Sequence, residues 1–172
     1  MPTAEGVVHI HRGYSRSHKP ILLVGESLGR VVASIVGSRQ RDAVRGMLLV
    51  TPFPNLAVLA QQHYPRLPAW FLRDRFRADE ALANFPGPVS FLIAGQDAIA
   101  HPGLGLAFFD GYPGTKRLWV EANAGHNSIA CSPNRTLWRE IPAFLTPTYH
   151  STGHESVRQQ SGPVPKTESV FK

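Results

Sequence analysis

Ser27, Asp97 and His126, in that chain order and each following an apolar run, are the residues whose types and placement could do chemistry. A serine hydroxyl is a weak nucleophile until a base takes its proton. An imidazole can take that proton and later return it to a leaving group, and a carboxylate can hold the imidazole in the required tautomer. Ser27 lies within Gly25-Glu-Ser27-Leu-Gly29, between the apolar residues 21–24 and a segment that reads as a helix. Placed between a buried strand and a helix, Gly-x-Ser-x-Gly makes a very tight turn. The serine takes a strained backbone conformation and its hydroxyl clears the edge of the sheet. Side chains two before and two after that serine would collide, so Gly25 and Gly29 are expected to serve by having none. Leu28 would offer its backbone N–H to a developing oxyanion, and the positive end of the helix that follows points to the same place.

Each residue alone has a plainer reading. Ser27 could be a small polar residue at an ordinary bend, Asp97 after Gly95 a turn former or helix cap, and His126 a loop residue bonded to backbone. Their joint placement favours a triad, because an open parallel sheet gathers reactive side chains beyond the carboxyl ends of its strands. The order serine, acid, histidine is also the one that accompanies a strand-turn-helix elbow. His18, His63 and His101 lack such placement. His9 and His11 alternate as on one side of a strand but have no third partner for a metal. Cys131 reads as a packed residue and Ser128 as a loop hydroxyl.

The elements that must position these side chains follow from apolar runs and breakers. Residues 21–24, 46–50 and 89–94 are continuous apolar runs, suited to strands covered on both faces, and 116–121 reads as a fourth strand. Helices are expected over 28–37, with Gly37 marking the end, over 56–62 capped by Asn55, over 67–76, over 79–85, over 101–109 and over 134–144. Strand and helix alternate four times, so the expected fold class is α/β, a mostly parallel sheet with flanking helices. Residues 1–19 read as a lead-in containing Val7, Val8 and Ile10. Residues 146–172, rich in Pro, Ser, Thr, Gly and Gln, read as a disordered tail that cannot repay its ordering entropy.

Composition narrows the classes. The chain has 172 residues, 42% hydrophobic and 17% charged, which suits one globular domain with a real core. Its apolar runs are strand length, far short of a bilayer span, and Met1-Pro-Thr-Ala-Glu-Gly carries no secretory pattern, so a cytoplasmic location is expected. One cysteine rules out an internal disulfide framework. The net charge of +6 would permit polyanion binding, yet the basic residues are scattered. Arg73, Arg75 and Arg77 are interrupted by Asp74 and followed by Asp79 and Glu80, which reads as solvated surface rather than a nucleic-acid site.

Leu-Leu-Val-Gly-Glu-Ser27-Leu-Gly, Leu-Leu-Val-Thr-Pro-Phe53, Phe-Leu-Ile-Ala-Gly-Gln-Asp97 and Ala-Gly-His126-Asn-Ser-Ile together resemble the α/β-hydrolase superfamily over nearly all of residues 15–145. The tone is similar to bacterial serine hydrolases of the monoacylglycerol lipase, dienelactone hydrolase and serine peptidase branch. The resemblance implies hydrolysis of an ester, thioester or amide through an acyl-enzyme, with no cofactor and no metal. It also implies that residues 56–85 form a lid or cap, with Trp70, Phe71 and Leu72 shaping a pocket for an apolar acyl group.

Two departures stand out. In the superfamily, several strands and a His- and Gly-rich loop precede the elbow, and that loop supplies a second oxyanion N–H. The short lead-in here makes the chain resemble the C-terminal portion of the fold. Loss of one oxyanion donor raises a barrier by about 3 kcal/mol. The missing strands would also leave the first strand as a bare edge, through which homo-oligomers are expected to form. Second, Arg30 and Val31 stand where small residues usually follow the elbow, and their bulk is expected to crowd the helix or alter the pocket. The alternative to an enzyme is therefore a truncated, inactive hydrolase fragment that acts as a binding or assembly module.

Overall fold

A computed structural model describes residues 21–66, 78–129 and 136–146. The three apolar runs and the fourth expected strand become four parallel strands: β1 (Ile21–Glu26), β2 (Val44–Val50), β3 (Val89–Ala94) and β4 (Lys116–Glu121). They pair in chain order, β1-β2-β3-β4. Val24 stands opposite Leu48, Leu49 opposite Phe91, and Phe91 opposite Leu118. Parallel pairing places the carboxyl ends of all four strands on one rim, and each return to the opposite rim needs a crossover.

The connections between strands carry α1 (Gly29–Arg39), α2 (Leu56–His63), α3 (Ala78–Ala83) and α4 (Pro102–Gly111), and α5 (Leu137–Leu145) follows the last strand. One face of the sheet packs Met47, Leu49, Val89 and Phe91 against Ala33 of α1, Leu82 of α3 and Phe108 of α4. The other packs Leu48, Val50 and Leu92 against Leu137, Ile141 and Leu145 of α5. Phe91 anchors the first core, with edge-to-face contacts to Phe108 and Phe109 at centroid distances of 5.7 and 5.3 Å.

The ends of the elements have local causes. Asn55 caps α2, its side-chain oxygen accepting from the Val58 N–H at 2.8 Å. His101 caps α4 by accepting from the Gly103 N–H, with Pro102 at the first helical position. The Lys116 ammonium closes the far end of α4, donating to the carbonyls of Phe109, Asp110 and Tyr112.

Gly37 does not end α1, which continues to Arg39. A Cβ there would lie 3.0 Å from the Met47 side chain and 3.3 Å from Phe85, so this glycine lets the helix approach the sheet. That approach buries Ala33 and Val36 and compensates a helix rich in β-branched residues. The helix expected over 67–76, the lead-in 1–19, Arg73, Arg75 and Arg77, Cys131, and all but Thr146 of the tail lie outside the described residues.

β1 is an edge: among the described residues its backbone pairs with β2 alone. Val24, 65% exposed, and Val32 of α1 flank that edge.

Tyr112 sits in the first core, its hydroxyl donating to the Phe85 carbonyl at 3.3 Å. Burial raises its pKa from 10.0 to about 12. The folded state therefore holds the phenolic proton more tightly than the unfolded chain. Stability is unaffected below pH 10 and falls as pH rises from 10 toward 12, by on the order of 2 kcal/mol. Denaturant unfolding at pH 9 and pH 11.5 is expected to show this loss in the parent chain and a smaller one in Tyr112→Phe.

Candidate functional site

β1 ends at Glu26 and α1 begins at Gly29, which leaves only Ser27 and Leu28 to reverse the chain. Ser27 has φ of 51°, a left-handed conformation that costs a non-glycine residue about 1–3 kcal/mol. Backbone bonds hold it there: the Ser27 N–H donates to the Val50 carbonyl at 2.9 Å, and the Ser27 carbonyl accepts from the Arg30 N–H at 3.2 Å. Thr51, at the end of the neighbouring strand, has φ of 46°, and its N–H donates to the Leu92 carbonyl at 2.8 Å. The sheet thus holds two strained residues side by side on its carboxyl rim.

The two elbow glycines differ. A Cβ on Gly25 would lie 2.7 Å from the Arg30 Cα and 2.9 Å from the Ala33 Cβ, so here the strand and α1 do nearly touch. A Cβ on Gly29 meets nothing within 4 Å among the described residues, so the expected steric need is absent there. Arg30 does not crowd the helix against the sheet. Its side chain is 1% exposed and runs to two aromatic rings, with the guanidinium carbon 4.3 Å from the Phe53 centroid and 5.4 Å from that of Phe108.

Leu28 stands at the N-terminus of α1 with its side chain 58% exposed. The Arg30 and Val31 N–H groups turn back to the Ser27 and Leu28 carbonyls at 3.2 and 3.1 Å. The Leu28 N–H lies before them at the helix start, where N–H groups lack an intrahelical acceptor. Among the described residues no side chain caps the helix start, and its first turn holds no acidic residue to offset the positive end of the dipole.

Asp97 lies just past β3, and its residue is 4% exposed. Oδ1 accepts from the Ile99 and Ala100 N–H groups, each at 2.8 Å, which fixes the plane of the carboxyl group. Oδ2 is left facing His126 Nδ1 at 2.7 Å. A carboxylate oxygen accepts, so Nδ1 is the donor toward Asp97, which leaves Nε2 as the ring nitrogen turned to Ser27. Ser27 Oγ is 3.0 Å from that Nε2. Three side chains from segments 29 and 99 residues apart thus form one hydrogen-bonded chain.

Two residues without an expected role help bring the acid and histidine loops together. A Cβ on Gly95 would lie 2.6 Å from the Ala122 carbonyl oxygen, a contact with backbone that cannot yield. The Gly95 N–H donates to Glu121 O and the Gln96 N–H to Ala124 O, both at 2.9 Å. Ser128 is more than a loop hydroxyl: it accepts from the Gly125 N–H at 2.7 Å, and its own N–H returns to the Gly125 carbonyl, closing a turn around His126. Gly95 stood in the sequence as a breaker after a strand, but nothing there named Ala122 as its neighbour. Trp70, Phe71 and Leu72 lie outside the described residues. Among those residues, no group of three His, Cys, Asp or Glu side chains is arranged to hold a metal ion, and no helix is long and apolar enough to cross a membrane.

The glycines give a paired test. Gly25→Ala is expected to destabilise the chain by roughly 1–3 kcal/mol in denaturant unfolding, because its Cβ meets backbone. Gly29→Ala is expected to be neutral or stabilising by under about 1 kcal/mol. Equal losses in both would contradict the elbow geometry.

No protein-family model matches the chain. Proteins from two strains of Mycobacterium tuberculosis, both described as uncharacterized, are 33% identical to it over 129 residues, which is 74% of this chain and 45% of each relative. The chain therefore spans about half the length of the curated relatives it matches. Among solved structures, an esterase from Pyrococcus furiosus is similar at 18% identity and a TM-score of 0.59, covering 83% of this chain and 58% of the esterase. The acylaminoacyl peptidase of Pyrococcus horikoshii is similar at 14% identity and a TM-score of 0.60, covering 86% of this chain and 28% of the peptidase. Acetyl xylan esterase 1 from Thermoanaerobacterium is similar at 14% identity and a TM-score of 0.53, covering 75% of this chain and 45% of the esterase. Likeness at such identities speaks to fold, and over the part it spans this chain has the fold of the α/β-hydrolase superfamily.

Proposed function

We propose that the chain is a serine hydrolase that cleaves an ester, thioester or amide bond through an acyl-enzyme. The observation that carries this reading is the unbroken path from Ser27 Oγ to His126 Nε2 at 3.0 Å and from His126 Nδ1 to Asp97 Oδ2 at 2.7 Å. In the first step Ser27 Oγ attacks the acyl carbon while its proton passes to His126 Nε2. Asp97 stabilises the imidazolium that forms, and the Leu28 N–H donates to the oxyanion with the dipole of α1 behind it. His126 then gives its proton to the leaving group, and the acyl group stays on Ser27. Water attacks that ester by the same steps, with His126 again as base and then acid.

The finer assignments belong to the same proposal. Residues 56–85 act as a lid or cap, and Trp70, Phe71 and Leu72 line a pocket for an apolar acyl group. Exposed Leu28, adjacent to Ser27, supports an apolar substrate. The branch of bacterial serine hydrolases named above is the proposed setting, with a cytoplasmic location. A second copy is the proposed partner for the β1 edge, where Val24 is exposed beside a strand that pairs on one side only among the described residues.

The alternative reading is a different class of function, a binding or assembly module without turnover. Hydrolysis of p-nitrophenyl acetate separates the two. The proposal expects turnover that falls at least about a thousandfold in Ser27→Ala and in His126→Ala, and roughly a hundredfold or more in Asp97→Asn. Turnover indifferent to all three, or absent from the folded parent chain, would favour the module.

The edge makes its own prediction. Light scattering is expected to show self-association that a charged substitution, Val24→Lys, reverses. A monodisperse monomer at every concentration would contradict it.

A further inference from the structure

The last turn of α2 grips the loop that carries Asp97. His63 Nε2 donates to the Ile99 carbonyl at 2.6 Å, and Gln62 Oε1 accepts from the His101 N–H at 3.2 Å. These are bonds to two successive peptide groups, Ile99–Ala100 and Ala100–His101. The first of these groups is the one whose N–H, that of Ala100, donates to Asp97 Oδ1 at 2.8 Å.

The two bonds on that peptide are coupled by its electronics. A donor on the carbonyl oxygen draws electron density through the amide and makes the N–H on the other side a stronger donor. His63 therefore acts on the carboxyl group of Asp97 without touching it. Its position at the end of the hydrogen-bonded path is the same in either charge state, since neutral imidazole with the proton on Nε2 and imidazolium both donate there.

We infer that His63 is a positioning residue for Asp97, acting through the Ile99–Ala100 peptide, with Gln62 holding the next peptide in register. The hydrogen-bonded path then runs from α2 to the reactive hydroxyl: His63, the Ile99–Ala100 peptide, Asp97, His126, Ser27. It gives α2, which buries none of its residues, a role that packing does not supply. The inference rests on the triad reading for its effect on turnover but not for its effect on the peptide.

The test uses the full chain with His63→Ala, His63→Gln and Asp97→Asn, singly and combined, read by p-nitrophenyl acetate kinetics and by proton NMR. His63→Ala is expected to lower kcat about tenfold with KM unchanged. His63→Gln, whose side-chain amide can donate from nearly the same place, is expected to recover most of that. On Asp97→Asn, His63→Ala is expected to add little, because the group it positions is altered. A kcat unchanged in His63→Ala, or an equal loss in both backgrounds, would overturn the inference. NMR decides it even without turnover: His63→Ala is expected to move the Ala100 amide proton and the His126 Nδ1 proton upfield, and unchanged shifts would overturn it. Failure of the triad reading looks different, because Asp97→Asn would then leave turnover intact while the Ala100 amide still responds to His63.

Discussion

At Gly95 the backbone leaving β3 touches the backbone leaving β4, and the site depends on that contact. A methyl group at Gly95 would sit 2.6 Å from the Ala122 carbonyl oxygen, so only glycine lets the two loops lie this close. The loops carry Asp97 and His126, and backbone bonds from Gly95 and Gln96 to Glu121 and Ala124 fix their spacing. A 2.7 Å bond between a carboxylate and an imidazole tolerates little play, because hydrogen bonds weaken steeply as distance and angle depart from their optimum. The rigid part of the site is thus backbone against backbone, and the side chains inherit their precision from it.

The serine arrives from the other side of β2 under strain. Ser27 adopts φ of 51° because β1 and α1 leave two residues for the reversal and Gly25 brings α1 against the strand. The energy that holds it comes from the sheet: Ser27 is bonded to Val50 and Thr51 to Leu92, and β2 and β3, which supply those acceptors, are the most buried strands among the described residues. Arg30 extends the same support outward, its buried guanidinium lying over Phe53 beyond β2 and near Phe108 of α4. Strain at the rim persists because the packed layers below over-determine it.

Much of this was legible in the sequence, for a physical reason. A parallel strand covered on both faces reads as a nearly continuous apolar run, and 89–94 announces itself to the residue. Strand 116–121 is partly exposed and was legible instead from the apolar Leu118, Trp119 and Val120 following a turn. Once four such strands alternate with helices, residues just past them share one rim, which is why Ser27, Asp97 and His126 could be named together. Glycines were harder to read. A glycine can supply a left-handed turn or room for a neighbour, and among the described residues none has a positive φ. Gly37 therefore marks a close approach to Met47 rather than a helix end, and Gly29 faces open space where a collision was expected. The bonds from Gln62 and His63 to residues 99 and 101 were illegible because they join segments 36 or more residues apart, and nothing in either segment names the other.

The central claim is that Ser27 is the activated hydroxyl, and covalent capture addresses it most directly. The folded chain is incubated with a fluorophosphonate, digested and mapped by mass spectrometry. The account predicts one adduct per chain, on Ser27, formed slowly or not at all when His126 is replaced by alanine. An adduct on another residue, or labelling of Ser27 at the same rate without His126, would contradict it.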